Sequence, residues 1–158
     1  MKNFRQLIWL VFFSCSISNV QAQPAPVQLN VLSGFFLSNK VTLDKGLNCM
    51  VVTKQKEFMK LFGIAKTATN TVTMPAFDKE QVLVLAMPET NKETTIKFDH
   101  ATKAGTFIEV YCEVQKKNEP LTYTTLPIAL AAIPKYNEVN TIKFYEGSSL
   151  VNEVKVKH

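Results

Sequence analysis

Phe77-Asp78-Lys79-Glu80-Gln81-Val82-Leu83-Val84-Leu85-Ala86-Met87 is the stretch whose reading decides the fold. Polar residues lead into it, an unbroken Val- and Leu-rich run fills its second half, and Pro88 closes it. A short apolar run with no polar phase reads as a strand covered on both faces. Periodicity alone also allows a buried helix, but the length and the β-forming content favour a central strand. The chain after it should then supply further strands, and the chain just before it a helix.

The helix candidate is Lys54-Gln55-Lys56-Glu57-Phe58-Met59-Lys60-Leu61-Phe62. Thr53 can cap its start by accepting a backbone hydrogen bond, and Gly63 can stop it in the left-handed conformation. Phe58, Leu61 and Phe62 fall on one stripe, which reads as core rather than as a ligand pocket. Thr67 to Thr73 is expected as a loop or a short edge strand around Val72. Further upstream, Val27, Leu29, Val31, Phe35 and Leu37 share one strand phase, with a bend or bulge at Gly34. Turns at Asn39-Lys40 and Asp44-Lys45-Gly46 lead to a short strand with Leu47, Cys49 and Val51 in phase.

Downstream, Pro88 to Lys92 reads as a polar turn. Thr94, Ile96 and Phe98 alternate with polar residues, and Ile108, Val110, Cys112 and Val114 do the same beyond a turn at Lys103-Ala104-Gly105. That is a hairpin signature, with Lys116 to Pro120 as its polar exit. Leu126 to Ile133 is a second apolar run, in which Pro127 must sit at a strand start or on an edge. Val139–Tyr145 and Leu150–Val156 are two more strands about the turn at Glu146-Gly147-Ser148. The expected fold class is α+β: one domain over residues 27–158, mainly an antiparallel β-sheet with one main amphipathic helix packed on it.

The N-terminus reads as an export signal over residues 1–22. Lys2 and Arg5 form a basic start, Leu7 to Phe13 an apolar core, and Val20-Gln21-Ala22 a cleavage site before Gln23. The apolar run is too short to span a bilayer, so no permanent helical anchor is expected. Cys15 after Ser14 raises lipid anchoring as the alternative. Phe12 stands where such a signal has Leu or Val, so ordinary cleavage is expected, giving a periplasmic or extracellular protein. Gln23-Pro24-Ala25-Pro26 should be an extended, mobile leader.

Removing the leader takes away Trp9 and Arg5, the only residues of their kinds, and leaves 16 lysines against 13 acids. A modest lysine excess without arginine argues against nucleic-acid binding, which leans on the planar guanidinium fork. Two cysteines remain. Cys49 and Cys112 read as a candidate disulfide in an exported chain, favoured slightly over two small buried hydrophobes.

Catalytic candidates are sparse. His100 beside Asp99 could serve as a base for Cys112, but Cys112 lies on an apolar phase, where a thiol is inert. Asp78 and Glu80 share a strand face as a carboxylate pair, and solvation of the turn before the central strand explains them. No metal-ligand spacing and no phosphate loop occurs, so no metal, cofactor or catalytic residue is expected.

Three ordered segments resemble the PrcB-like family of bacterial exported proteins, named for a subunit of a protease complex. They are Val51-Val52-Thr53 running to Phe58 and Leu61-Phe62, then Phe77 to Val84, then Leu126-Pro127-Ile128 through Ile133-Pro134-Lys135, spanning about residues 47–146. The Gly-Gly-Tyr turn typical of that family is absent, and Met87 to Thr95 stands in its place. The resemblance implies an exported, non-catalytic protein that stabilises or associates with another envelope or secreted protein. The alternative is a small inhibitor of exported proteases. The turn containing Pro88, Glu89, Asn91 and Lys92 is the candidate partner contact, with an edge strand near Pro127 as a second pairing surface.

Overall fold

The computed structural model describes residues 23–65 and 72–156. The expected signal peptide with Cys15, most of the Thr67–Thr73 segment and His158 lie outside them. In chain order the elements are β1 (Ala25–Pro26), β2 (Asn30–Leu32), β3 (Phe35–Leu37), β4 (Asn48–Val52), α1 (Gln55–Leu61) and β5 (Phe62–Ile64). They continue as β6 (Glu80–Ala86), β7 (Thr90–Ala104), β8 (Phe107–Thr125), β9 (Ile128–Pro134), β10 (Thr141–Glu146) and β11 (Ser149–Lys155). The class is α+β and mostly strand, with one short helix and mainly antiparallel pairing; β8 and β10 run parallel.

β6 is the central strand that its composition demands. It lies between β9 and β4 in a sheet ordered β2-β9-β6-β4, and Val82 through Ala86 are fully buried. Alternate side chains then serve two cores. Val82 and Val84 pack with Phe35, Leu37, Phe58 and Phe62, whereas Leu83 and Leu85 pack with Ile108, Val110, Ile142 and Phe144. Each such buried side chain contributes about 1.5–3 kcal/mol of hydrophobic stabilisation. Both faces therefore need cover. A five-stranded sheet ordered β1-β7-β8-β10-β11 covers one, and α1 with the β3–β5 pair covers the other. The expected mainly antiparallel sheet with one helix packed on it is found, with a second sheet on the face that the seven-residue helix does not cover.

Local expectations hold or fail for identifiable reasons. Gly34, at φ 80°, bends the chain so that β2 joins the central sheet while β3 pairs with β5. Pro127 stands immediately before β9, where its missing donor costs nothing and its carbonyl accepts Met87 N–H at 3.0 Å. β2 pairs with β9 only at Leu130, Ala131 and Ala132, so the edge expected near Pro127 is covered from Leu130 onward, and among the described residues no strand pairs with Ile128 and Ala129 on that side. The cap of α1 falls on Lys54 with no side-chain hydrogen bond, not on Thr53, whose carbonyl accepts Lys135 Nζ at 3.0 Å. Gly63 does not stop the helix in a left-handed turn. It is a strand residue of β5, and the Phe36 ring lies where a side chain would be. The leader is extended but docked: Ala25 and Pro26 pair with Lys103 and Thr102, anchored by buried Val27.

No helix among the described residues is long and apolar enough to cross a membrane.

Candidate partner-binding ribbon

The segment Pro88 to Lys92 is a corner rather than a hairpin turn. β6 ends at Ala86, half-buried Pro88 and exposed Glu89 turn the chain out of the central sheet, and β7 begins at Thr90. On the neighbouring chain β8 makes the same passage in reverse, entering β9 through Leu126 and Pro127. β6–β9 and β7–β8 are thus one long ribbon bent at a pair of prolines, with one end in each sheet.

Just beyond the bend, the expected partner-contact residues meet the expected polar exit. Thr90 faces Thr125, Lys92 faces Pro120 and Thr94 faces Lys116. Four residue steps on β7 therefore oppose nine on β8, and the surplus is taken up as bulges. Thr90 Oγ1 accepts Lys92 N–H, and Thr94 Oγ1 donates to the Lys92 carbonyl, both at 3.1 Å, so threonines satisfy backbone groups that the irregular ladder leaves over. Lys117 Nζ pairs with Glu93 Oε1 across the ribbon at 2.8 Å. Asn91, Lys92 and every residue from Lys116 to Thr124 except Leu121 are exposed, and Tyr123 keeps 61% of its surface accessible.

Both flanks of this ribbon are open. β10 pairs with β8 only from Phe107 to Cys112, and β1 with β7 only at Thr102 and Lys103. Beyond those limits, and beyond the Val27 N–H bond to the Ala101 carbonyl, no other strand among the described residues lies beside them, which is what a pairing partner needs.

The catalytic candidates are kept apart. A bulge between Phe98 and His100 shifts the register, so Phe98 opposes Cys112 but His100 opposes Tyr111. Cys112 points into the core, where its thiol donates to the Tyr145 carbonyl at 3.0 Å. His100 stands on the exposed face with Nδ1 2.8 Å from Asp99 Oδ2. Burial first, then the Glu146 carboxylate, pushes the Cys112 thiol up to about 11. Burial, then Cys112 and Glu146, pushes Cys49 up to about 12. Both thiols are buried, free and protonated at neutral pH, so the bridge expected between them is not formed in this structure. Glu80 Oε2 accepts the Ala76 N–H at 2.8 Å, tying down the turn before β6 instead of pairing with Asp78. Among the described residues no group of three or more His, Cys, Asp or Glu converges.

One constellation had no signal in the residue pattern. His100 stacks on Tyr111 at 4.4 Å and 9°, and Tyr111 on Tyr145 at 5.1 Å and 16°, across three adjacent strands. Both phenols donate to the Glu109 carboxylate, at 3.5 and 3.4 Å. The ring faces cover one another, so this row stiffens the outer face of the five-stranded sheet. It depends on the bulge at His100 and on β8 and β10 lying parallel, and neither is written in hydrophobic alternation.

Compared with protein-family models, with curated proteins and with solved structures, the chain matches none.

Proposed function

We propose that this chain is an exported, non-enzymatic protein that associates with another cell-envelope or secreted protein through the β7–β8 ribbon. The observation that supports the reading is the exposed ribbon with two flanks unpaired among the described residues, on which Lys92 lies opposite Pro120 and Asn91 and Tyr123 are exposed. Strand pairing supplies affinity through backbone hydrogen bonds, and the projecting side chains choose the partner. The likeness of residues 47–146 to PrcB-like proteins makes an exported protease complex the first partner to try. Mild affinity purification from the native compartment should yield one stoichiometric protein, and the double variant Tyr123→Ala, Lys92→Glu should lose it. Recovery of the chain alone, or of the same partner with that variant, overturns the reading.

A second reading has its own support. Lys116 to Thr125 is extended and exposed on one flank, the conformation that a protease cleft accepts from a substrate or inhibitor. It requires inhibition of an exported protease at about micromolar concentration, near −8 kcal/mol of binding free energy. Absence of inhibition across the protease classes removes it.

A further inference from the structure

The outer edge of the central sheet is open at a second place, far in sequence from the ribbon. Met87 N–H donates to the Pro127 carbonyl at 3.0 Å and Lys135 N–H to the Lys79 carbonyl at 2.8 Å. The odd-numbered residues of β6 therefore turn their backbone groups toward β9. In an antiparallel ladder the even-numbered ones must turn the other way, toward β4, and bond with Asn48, Met50 and Val52 opposite them. Cys49 and Val51 are left with N–H and C=O directed outward. The Cys49 carbonyl is taken by Asn152 Nδ2 at 3.0 Å. Val51 has no such partner among the described residues.

Two hollows meet at that residue. One, of about 380 Å³, lies on the helix side against Met50, Val52 and Leu61, with Lys60 at its rim. The other, of about 260 Å³, lies toward the end of β11 against Thr53, Lys54, Lys155 and Val156. Val51 and Glu57 line both. Lys155 is already paired with Glu153 at 2.8 Å, whereas Lys54 and Lys60 make no ion pair among the described residues. The rim thus offers two uncompensated cations against one carboxylate.

We propose that the β4 edge is a docking site for an extended peptide segment of a partner protein, one carrying an apolar residue between acidic ones. A donor and an acceptor offered side by side by one edge residue are met by extended backbone. Successive side chains of that segment point to opposite faces. The apolar one enters the hollow beside Met50 and Leu61, at whose rim Lys60 stands, and its acidic neighbours project to the other face, toward Lys54. The site is separate from the ribbon and does not depend on the reading given to it.

The test uses the mature chain and a labelled peptide of about ten residues alternating valine and glutamate. Two controls accompany it: a lysine-for-glutamate version, and a version N-methylated at the amides that would face β4. Fluorescence anisotropy should show binding of the valine–glutamate peptide only, and exchange of the Val51 amide should slow by about tenfold or more on binding. Lys54→Glu should weaken binding by about fivefold or more, as reversal of one surface attraction allows. Tyr123→Ala should leave it unchanged. Absence of binding, equal binding of the N-methylated peptide, or loss of binding in Tyr123→Ala overturns the proposal. So does a concentration-dependent doubling of mass that protects the Val51 amide without peptide, since a second copy would then occupy the edge.

Discussion

Gln81 shares the β6 phase of Leu83 and Leu85, faces Ile133 across the ladder, and is fully buried. Among the described residues neither its Nε2 nor its Oε1 has a hydrogen-bond partner. Leaving a buried carboxamide unsatisfied costs about 1–3 kcal/mol, because its hydration is lost and nothing replaces it. Methionine has nearly the same shape and no such penalty. Gln81→Met is therefore expected to raise unfolding free energy by about 1–3 kcal/mol, read from urea midpoints at constant slope. A fall in stability would show that the amide is solvated inside the protein. The buried run that identified β6 includes this residue only by position, since glutamine carries no sequence signal for burial.

At the scale of elements, Gly34 decides how the N-terminal strand is divided. Its φ of 80° is one that a side chain resists, and an added methyl group would overlap Val72 at 2.6 Å. Gly34→Ala should cost about 2–4 kcal/mol, combining backbone strain with overpacking. Gly46→Ala, with φ 93° and nothing within 4 Å, should cost only the strain, about 1–2 kcal/mol. Equal losses in thermal or urea unfolding would show that Val72 yields freely. The bend at Gly34 is readable because glycine interrupts a strand phase. The 19 residues of β8 are not, since bulges around Pro120 break the alternation that marks a strand. What looked like a turn and a polar exit are the two sides of one irregular ribbon. The cap of α1 differs for another reason: the helix starts one residue later, so the cap position falls on Lys54, whose side chain makes no capping hydrogen bond.

Across the whole molecule, one core cluster joins the two large sheets and contains both free cysteines. Their folded-state values, about 12 for Cys49 and about 11 for Cys112, lie above the ordinary thiol value of 9.0. The folded chain thus holds protons that the unfolded chain releases at high pH. Stability is fully present below about pH 9 and falls as pH rises toward 11–12, a tenfold difference in proton affinity between the two states corresponding to about 1.4 kcal/mol. Urea unfolding at about pH 8 and about pH 10.5 should show this loss, and Cys49→Ala should reduce it. An unchanged slope in that variant would place the titration elsewhere. The class of fold was legible, because apolar runs and alternation report burial. The division into two sheets was not, since one pair of strands serves both and composition does not mark where a strand changes layer. Nor could residue pattern place His100 and Cys112 on opposite faces, because a single inserted residue reverses the order of sides.

The paired corners at Pro88 and Pro127 give the molecule one mechanical property. Because the same two chain segments run from one layer into the other, a tug on the projecting ribbon loads both layers together, in shear along their hydrogen bonds. A load entering through that ribbon is therefore shared by the whole β framework instead of falling on one sheet.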